Sequence, residues 1–124
     1  MFIFNKKTNK GITNYWKIDT NRTQLENHLA CFPVRLPAKA INLVTQPNEI
    51  VVDMFAGSGS TLIACEQLNR INYSMEIDCH YTDVIIKRWM KYTGQQAYKI
   101  IDADGKQVNE PVLFADMSFM QSKK

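Results

Sequence analysis

The sequence predicts an α/β chain built on parallel strands, and three observations carry that prediction. Ile50-Val51-Val52-Asp53 is a short β-branched run of the kind that forms a strand covered on both faces. The turn Ala56-Gly57-Ser58-Gly59 follows it directly and leads into an apolar helical pattern. A second strand over Tyr73 to Ile77 is then followed by a second helix, and β-α-β-α order is the mark of a parallel sheet. At 124 residues, 45% hydrophobic and 22% charged, the composition is that of one ordinary globular domain.

In chain order, Met1 to about Gly11 reads as a short lysine-rich arm, Tyr15 to Ile18 as a short strand, and Asp19 to Gln24 as a polar loop. A helix begins at Leu36-Pro37, with proline as its first residue. Leu36, Ala40, Leu43 and Val44 recur at helical spacing until Gln46-Pro47-Asn48 stops it. After the 50–53 strand and the glycine turn, Ser60 or Ser58 can cap the next helix. Leu62, Cys65 and Leu68 lie near one face of it, and Asn69-Arg70 ends it. Asp78 caps the following helix, whose stripe is Tyr81, Val84, Ile85, Trp89 and Tyr92 and whose stop is Gly94. Ala97 to Ile101 reads as a strand, Asp104-Gly105 as a hairpin turn toward Gln107-Val108, and the tail beyond Phe114 as frayed.

Several function classes fall away. The longest apolar runs are far short of the roughly 20 residues of a membrane span. The N-terminus lacks the charge order and cleavage site of a secretory signal, so the expected compartment is the cytoplasm. Cys31, Cys65 and Cys79 have no C-x-x-C spacing and read as reduced thiols. With only His28 and His80 beside them, no zinc set is expected. Calcium fails because Pro111 stands where an EF-hand loop starting at the position five before Gly105 needs glutamate. The net charge of +3 permits contact with a polyanion without requiring it. Lys87, Arg88 and Lys91 read as a solvated helix face, and Lys6, Lys7 and Lys10 are too few for more than weak phosphate contact.

The glycine turn bears the chemistry. A strand ending in an acid, a Gly-x-Gly turn and a helix start let a ligand approach bare backbone N–H groups. No lysine follows Gly57 or Gly59, which excludes a P-loop, and Leu62 stands where a dinucleotide fingerprint needs its third glycine. Asp53 can pair with a cationic amine. Glu76, 19 residues after Gly57, is placed to accept hydrogen bonds from two ribose hydroxyls. An adenosine bearing an ammonium group describes S-adenosylmethionine, although the same turn also serves as a plain tight turn before an amphipathic helix.

Asp53-Met54-Phe55-Ala56-Gly57-Ser58-Gly59-Ser60-Thr61 resembles the D-P-F-x-G-S-G-T-T cofactor motif of the DNA amino-methyltransferases, departing at Met54 and Ser60. His28 to Pro37 is similar to the H-P-A-x-F-P-x-x-L-P segment before that motif, and Met75-Glu76-Ile77-Asp78 with Tyr81 resembles G-I-E-I-D-x-x-Y after it. The similarity runs from about Asn14 to Ile101. It implies a partial Rossmann-like methyltransferase fold, S-adenosylmethionine as cofactor, and the exocyclic amine of adenine (N6) or cytosine (N4) in double-stranded DNA as acceptor. Carried over, Asp53, Phe55, Gly57, Ser58 and Gly59 line the methionine end, Glu76 holds the ribose, and Phe32 and Pro33 close the pocket from the other side. His28 reads as a residue bonding to backbone at the approach to a helix.

The family's D/N/S-P-P-Y/F/W segment, which holds the target amine and stacks on a flipped-out base, has no counterpart, since the sequence contains no Pro-Pro. No catalytic residue is therefore assigned. The expectation is a shortened or split methyltransferase, as in a decayed or mobile-element copy. Residues 1–27 are expected to form an N-terminal arm and short strand, 28–101 the cofactor half, and 102–124 a hairpin and C-terminal tail. The alternatives are a non-catalytic subunit that binds S-adenosylmethionine or completes a separate catalytic chain, and a structural Rossmann-like remnant that binds nothing. A half-sheet leaves the edge of the 50–53 strand open, from which self-association, a partner subunit or partial disorder of residues 1–27 is expected.

Overall fold

The computed structural model describes residues 15–18, 32–101 and 107–114. Its elements are α1 (Arg35–Val44), β1 (Ile50–Asp53), α2 (Ser60–Leu68), β2 (Ile71–Ser74), α3 (Cys79–Thr93), β3 (Tyr98–Ile101) and β4 (Gln107–Leu113). They fall into two compact units, Met1–Ile85 and Ile86–Lys124. No helix among the described residues is long and apolar enough to cross a membrane.

In the first unit β1 and β2 pair in parallel, with Ile50 opposite Ile71 and Asp53 opposite Ser74. The core is Ile41 of α1 against Ala64 and Cys65 of α2, with Val34, Ala38, Val51 and Leu68 packed around it. Burial pushes the Cys65 thiol above its ordinary range, and a hydrogen bond from Asn72 partly offsets this. α1 therefore buries the row Val34, Ala38, Ile41, one step round from the predicted row. Leu36, Ala40 and Val44 are exposed, and Leu43 is half-buried. The sequence offers apolar residues on both rows, and contact with α2 selects one of them. The helix begins at Arg35, so Pro37 is its third residue. Proline is tolerated there because the first four N–H groups of a helix have no partner within it.

The ends of α2 come from backbone geometry. Its N-cap is Gly59, in the left-handed region and without a side-chain cap bond, so neither Ser58 nor Ser60 caps it as expected. At the other end Asn69 adopts φ 56°, and the next N–H, from Arg70, returns to the Cys65 carbonyl at 2.9 Å. The Arg70 side chain then bonds the Thr45 carbonyl at 2.8 Å and its hydroxyl at 3.1 Å, and also reaches the Leu68 carbonyl. One guanidinium thus joins the C-terminal ends of α1 and α2.

Because α2 reverses so sharply, β2 starts at Ile71, with its N–H on the Glu49 carbonyl at 3.0 Å, and it ends at Ser74. It starts two residues earlier than the predicted 73–77 strand and ends three residues earlier. Ile71 to Ile77 is similar along its length, and only the α2 exit and the pairing with β1 set the register. The expected strand at Tyr15–Ile18 is absent. Those residues have no regular structure, and Trp16 sits 4.9 Å beneath the Lys39 ammonium. The covering of the sheet on both faces is also corrected: Val51 joins the core, while Ile50, Val52, Ile71 and Tyr73 are exposed.

Asp78 caps α3 as predicted, its Oδ1 accepting the His80 N–H at 2.8 Å, and Gly94 closes the helix at φ 71°. Of the α3 stripe, Ile85 is buried, Tyr81, Val84 and Trp89 are half-buried and Tyr92 is exposed. In the second unit β3 and β4 form the predicted antiparallel hairpin, with Tyr98 opposite Leu113. Its Asp104-Gly105 turn lies outside the described residues, as do Lys6, Lys7, Lys10, His28, Cys31, the loop 19–24 and the tail beyond Phe114.

Candidate functional site

Parallel strands leave their carboxyl ends on one edge of the sheet, where backbone from both meets without further pairing. Here that edge carries Asp53 and the glycine turn from β1, and Glu76 just past β2. Two hydrogen bonds draw the strands' continuations together: the Met75 N–H donates to the Asp53 carbonyl at 2.9 Å, and the Ala56 N–H donates to the Met75 carbonyl at 3.0 Å. The Asp53 carboxylate accepts the Phe55 N–H at 3.0 Å, which bends the chain out of β1.

The turn closes through the Gly59 N–H on the Ala56 carbonyl at 2.8 Å. Its two glycines serve different ends. A Cβ at Gly59, at φ 77°, would lie 3.1 Å from Ile85 Cγ2, so this glycine lets α3 pack against the turn. A Cβ at Gly57, at φ 53°, would meet nothing within 4 Å, so open space adjoins the backbone there.

Glu76 is half-buried and faces that turn. Its Oε2 accepts the Gly57 N–H at 2.8 Å, and its Oε1 accepts the Asp78 N–H at 3.0 Å. A carboxylate offers about four lone-pair positions, so these two bonds leave acceptor capacity for hydroxyl groups of a ligand. The two neighbouring apolar side chains are strongly exposed, Phe55 at 89% and Ile77 at 101%. Sequence reasoning missed Ile77 by assigning it to the last position of a strand, whereas β2 ends at Ser74. Its position directly after an acid paired with the glycine turn is the signal that marks it.

Phe32 and Pro33 precede α1, where the Pro33 carbonyl accepts the Leu36 N–H at 3.0 Å. The Phe32 carbonyl accepts a hydrogen bond from the Ser60 hydroxyl at 2.9 Å, which fastens this segment to the first residue of α2. Ser58 and Ser60 are both buried, and Phe32 keeps 44% of its surface exposed. Hydrogen bonds thus connect Asp53 and Phe55 to each other and Gly57 to Glu76, while Phe32 joins through Ser60. No group of three or more metal-ligating side chains occurs among the described residues.

An unencumbered glycine, a second-strand carboxylate with spare acceptors and exposed apolar side chains beside both acids suit a ligand that carries both hydroxyl groups and an apolar surface at the sheet edge. Comparisons with known proteins agree with that geometry. The model of a DNA methylase family, that of the N6/N4 enzymes, matches residues 4–88. The chain is 32% identical over 73 residues to the type II methyltransferase M.Cfr9I of Citrobacter freundii, covering 59% of this chain and 24% of that protein. It is 41% identical over 58 residues to M.HindIII of Haemophilus influenzae, covering 47% of this chain and 19% of the other. It therefore spans about a quarter or less of the length of these curated relatives. Among solved structures, an M1.HpyAVI–SAM complex superposes with a TM-score of 0.62 at 30% identity, over 72% of this chain and 44% of that one. The partial α/β architecture, the motif order and the family match lead to one conclusion: this chain belongs to the N6/N4 DNA methylase family.

Proposed function

We propose that this chain supplies the S-adenosylmethionine pocket of a DNA N-methyltransferase that modifies the exocyclic amine of adenine or cytosine in double-stranded DNA. The observation that carries the reading is Glu76 bonded to the Gly57 backbone at the carboxyl ends of two parallel strands. In this arrangement Asp53 stands near the cationic methionine end, and Phe55, Gly57, Ser58 and Gly59 line it. The remaining acceptor positions of Glu76 take the ribose hydroxyls, Ile77 and Phe55 offer apolar surface, and Phe32 with Pro33 closes the far side. When bound, the cofactor supplies a methyl group on a sulfonium, an electrophile that needs no metal. The chain's own residues orient the cofactor and exclude water from it.

Transfer also requires a group that holds the target amine. The sequence contains no Pro-Pro, so that segment comes from elsewhere, in the same polypeptide or in a partner, and these residues by themselves are inactive. A second reading, a non-catalytic subunit that binds S-adenosylmethionine or completes a separate catalytic chain, is favoured in its partner-completing form by one observation. The apolar face formed by Ile50, Val52, Ile71 and Tyr73 is exposed, and a doubly wound sheet buries that face.

Isothermal titration with S-adenosylhomocysteine tests the first reading. Saturable one-to-one binding, lost in Glu76→Ala and weakened in Asp53→Asn, is the expected result. A folded chain that takes up no ligand would reject it. With DNA and a chain bearing the Pro-Pro segment added, methyl transfer that is lost in Glu76→Ala supports the first reading, whereas transfer that survives Glu76→Ala places the cofactor on the other chain and supports the second.

A further inference from the structure

Ser60 occupies the position where the motif it resembles has threonine, and both residues offer a hydroxyl. The structure gives that hydroxyl a definite use. Although Ser60 is the first residue of α2, the helix has no side-chain cap, and the Ser60 Oγ donates instead to the Phe32 carbonyl, 28 residues away, at 2.9 Å. Ser60 is 1% exposed, so water does not compete for the bond, whereas the Phe32 it holds remains 44% exposed. A buried anchor thus fixes the backbone of a residue whose side chain stays available. Phe32 sits just outside α1: the Leu36 N–H bonds the Pro33 carbonyl and the Ala38 N–H bonds the Val34 carbonyl, while Phe32 itself lies before these helical bonds begin. Its placement relative to the glycine turn therefore depends on a tie across the fold.

We infer that Ser60 is a positioning residue. Its hydroxyl holds the Phe32–Pro33 segment at the start of α2, so that this segment forms a wall of the S-adenosylmethionine pocket. The inference rests on the cofactor reading given above and adds to it a residue that acts through Phe32 and does not itself touch the ligand. It also accounts for the exchange of threonine for serine, since either side chain can donate the bond.

The test is calorimetric titration of the full chain with S-adenosylhomocysteine across five proteins: the unsubstituted chain, Ser60→Ala, Ser60→Thr, Phe32→Ala and the Ser60→Ala/Phe32→Ala pair. Loss of one neutral hydrogen bond corresponds to about a fivefold weakening for Ser60→Ala, while Ser60→Thr stays within about twofold. In the Phe32→Ala background the Ser60→Ala effect shrinks to less than about twofold, because the ring that makes up most of the positioned wall is already gone. Unchanged affinity in Ser60→Ala, or the same loss with and without Phe32, overturns the inference while leaving the cofactor reading intact. Absence of binding by the unsubstituted chain rejects both. If Ser60→Ala does not fold, Ser60→Cys carries the same comparison, since it keeps a small side chain and replaces the hydroxyl with a weak donor.

Discussion

Glu76 reaches across 19 residues of sequence to accept the Gly57 N–H at 2.8 Å, and its other oxygen takes the Asp78 N–H at 3.0 Å. One carboxylate thereby holds the glycine turn after β1 and the start of α3 in fixed relation. Glu76→Ala leaves both donors without this partner, and a destabilisation of about 1–3 kcal/mol in urea unfolding is expected. Glu76→Gln keeps one carbonyl acceptor but turns an amide donor toward the other N–H. It should retain the fold while weakening S-adenosylhomocysteine binding by about tenfold or more, measured by calorimetry.

The two glycines of the turn should separate stability from binding. Gly59→Ala puts a Cβ 3.1 Å from Ile85 at a φ of 77°, so overpacking adds to backbone strain and a cost of about 2–3 kcal/mol is expected. Gly57→Ala meets nothing within 4 Å and should cost only the strain of its positive φ, about 1 kcal/mol. It narrows the open space beside the turn, however, so its larger effect should be on ligand affinity. Thermal unfolding and titration of both variants check the contrast.

Arg70 joins two helix ends through the Thr45 carbonyl and hydroxyl and the Leu68 carbonyl. Arg70→Ala should lower stability by about 1–3 kcal/mol, and Arg70→Lys should recover only part, because an ammonium cannot span these acceptors as the planar guanidinium does. Urea midpoints of the three proteins provide the measurement.

Cys65 is buried and its thiol is held above its ordinary value of 9.0, chiefly by desolvation, whereas Cys79 is exposed. The folded chain therefore keeps the Cys65 proton at pH values where the unfolded chain releases it. This group's contribution to stability is full below about pH 9 and declines as pH rises through the raised folded value. Stability measured from pH 8 to 10.5 should fall more steeply in the native sequence than in Cys65→Ala. Alkylation read by mass spectrometry should modify Cys79 without denaturant and Cys65 only with it.

Much of the site was legible because its chemistry is local. The acid, the turn and the second acid are fixed by spacing around a strand–turn–helix unit, and the structure brings Gly57 and Glu76 together. Helix caps that depend on neighbouring residues, Asp78 and Gly94, were legible for the same reason. What escaped depends on contacts between distant segments. The row of α1 that packs is chosen by α2, the start of β2 is chosen by the left-handed turn at Asn69 and by pairing with β1, and the Ser60 hydroxyl leaves its own helix for Phe32. Tyr15–Ile18 has the composition of a strand but no partner strand among the described residues, and composition alone does not supply one.

The glycine turn and Glu76 form the proposed S-adenosylmethionine pocket. Backbone amide NMR spectra of the chain titrated with S-adenosylhomocysteine test it most directly, since they read the N–H groups themselves. Saturable shifts concentrated at Gly57, Ser58, Gly59, Ile77 and Asp78 are expected. Shifts confined to other segments, or none at saturating ligand from a folded chain, would contradict it.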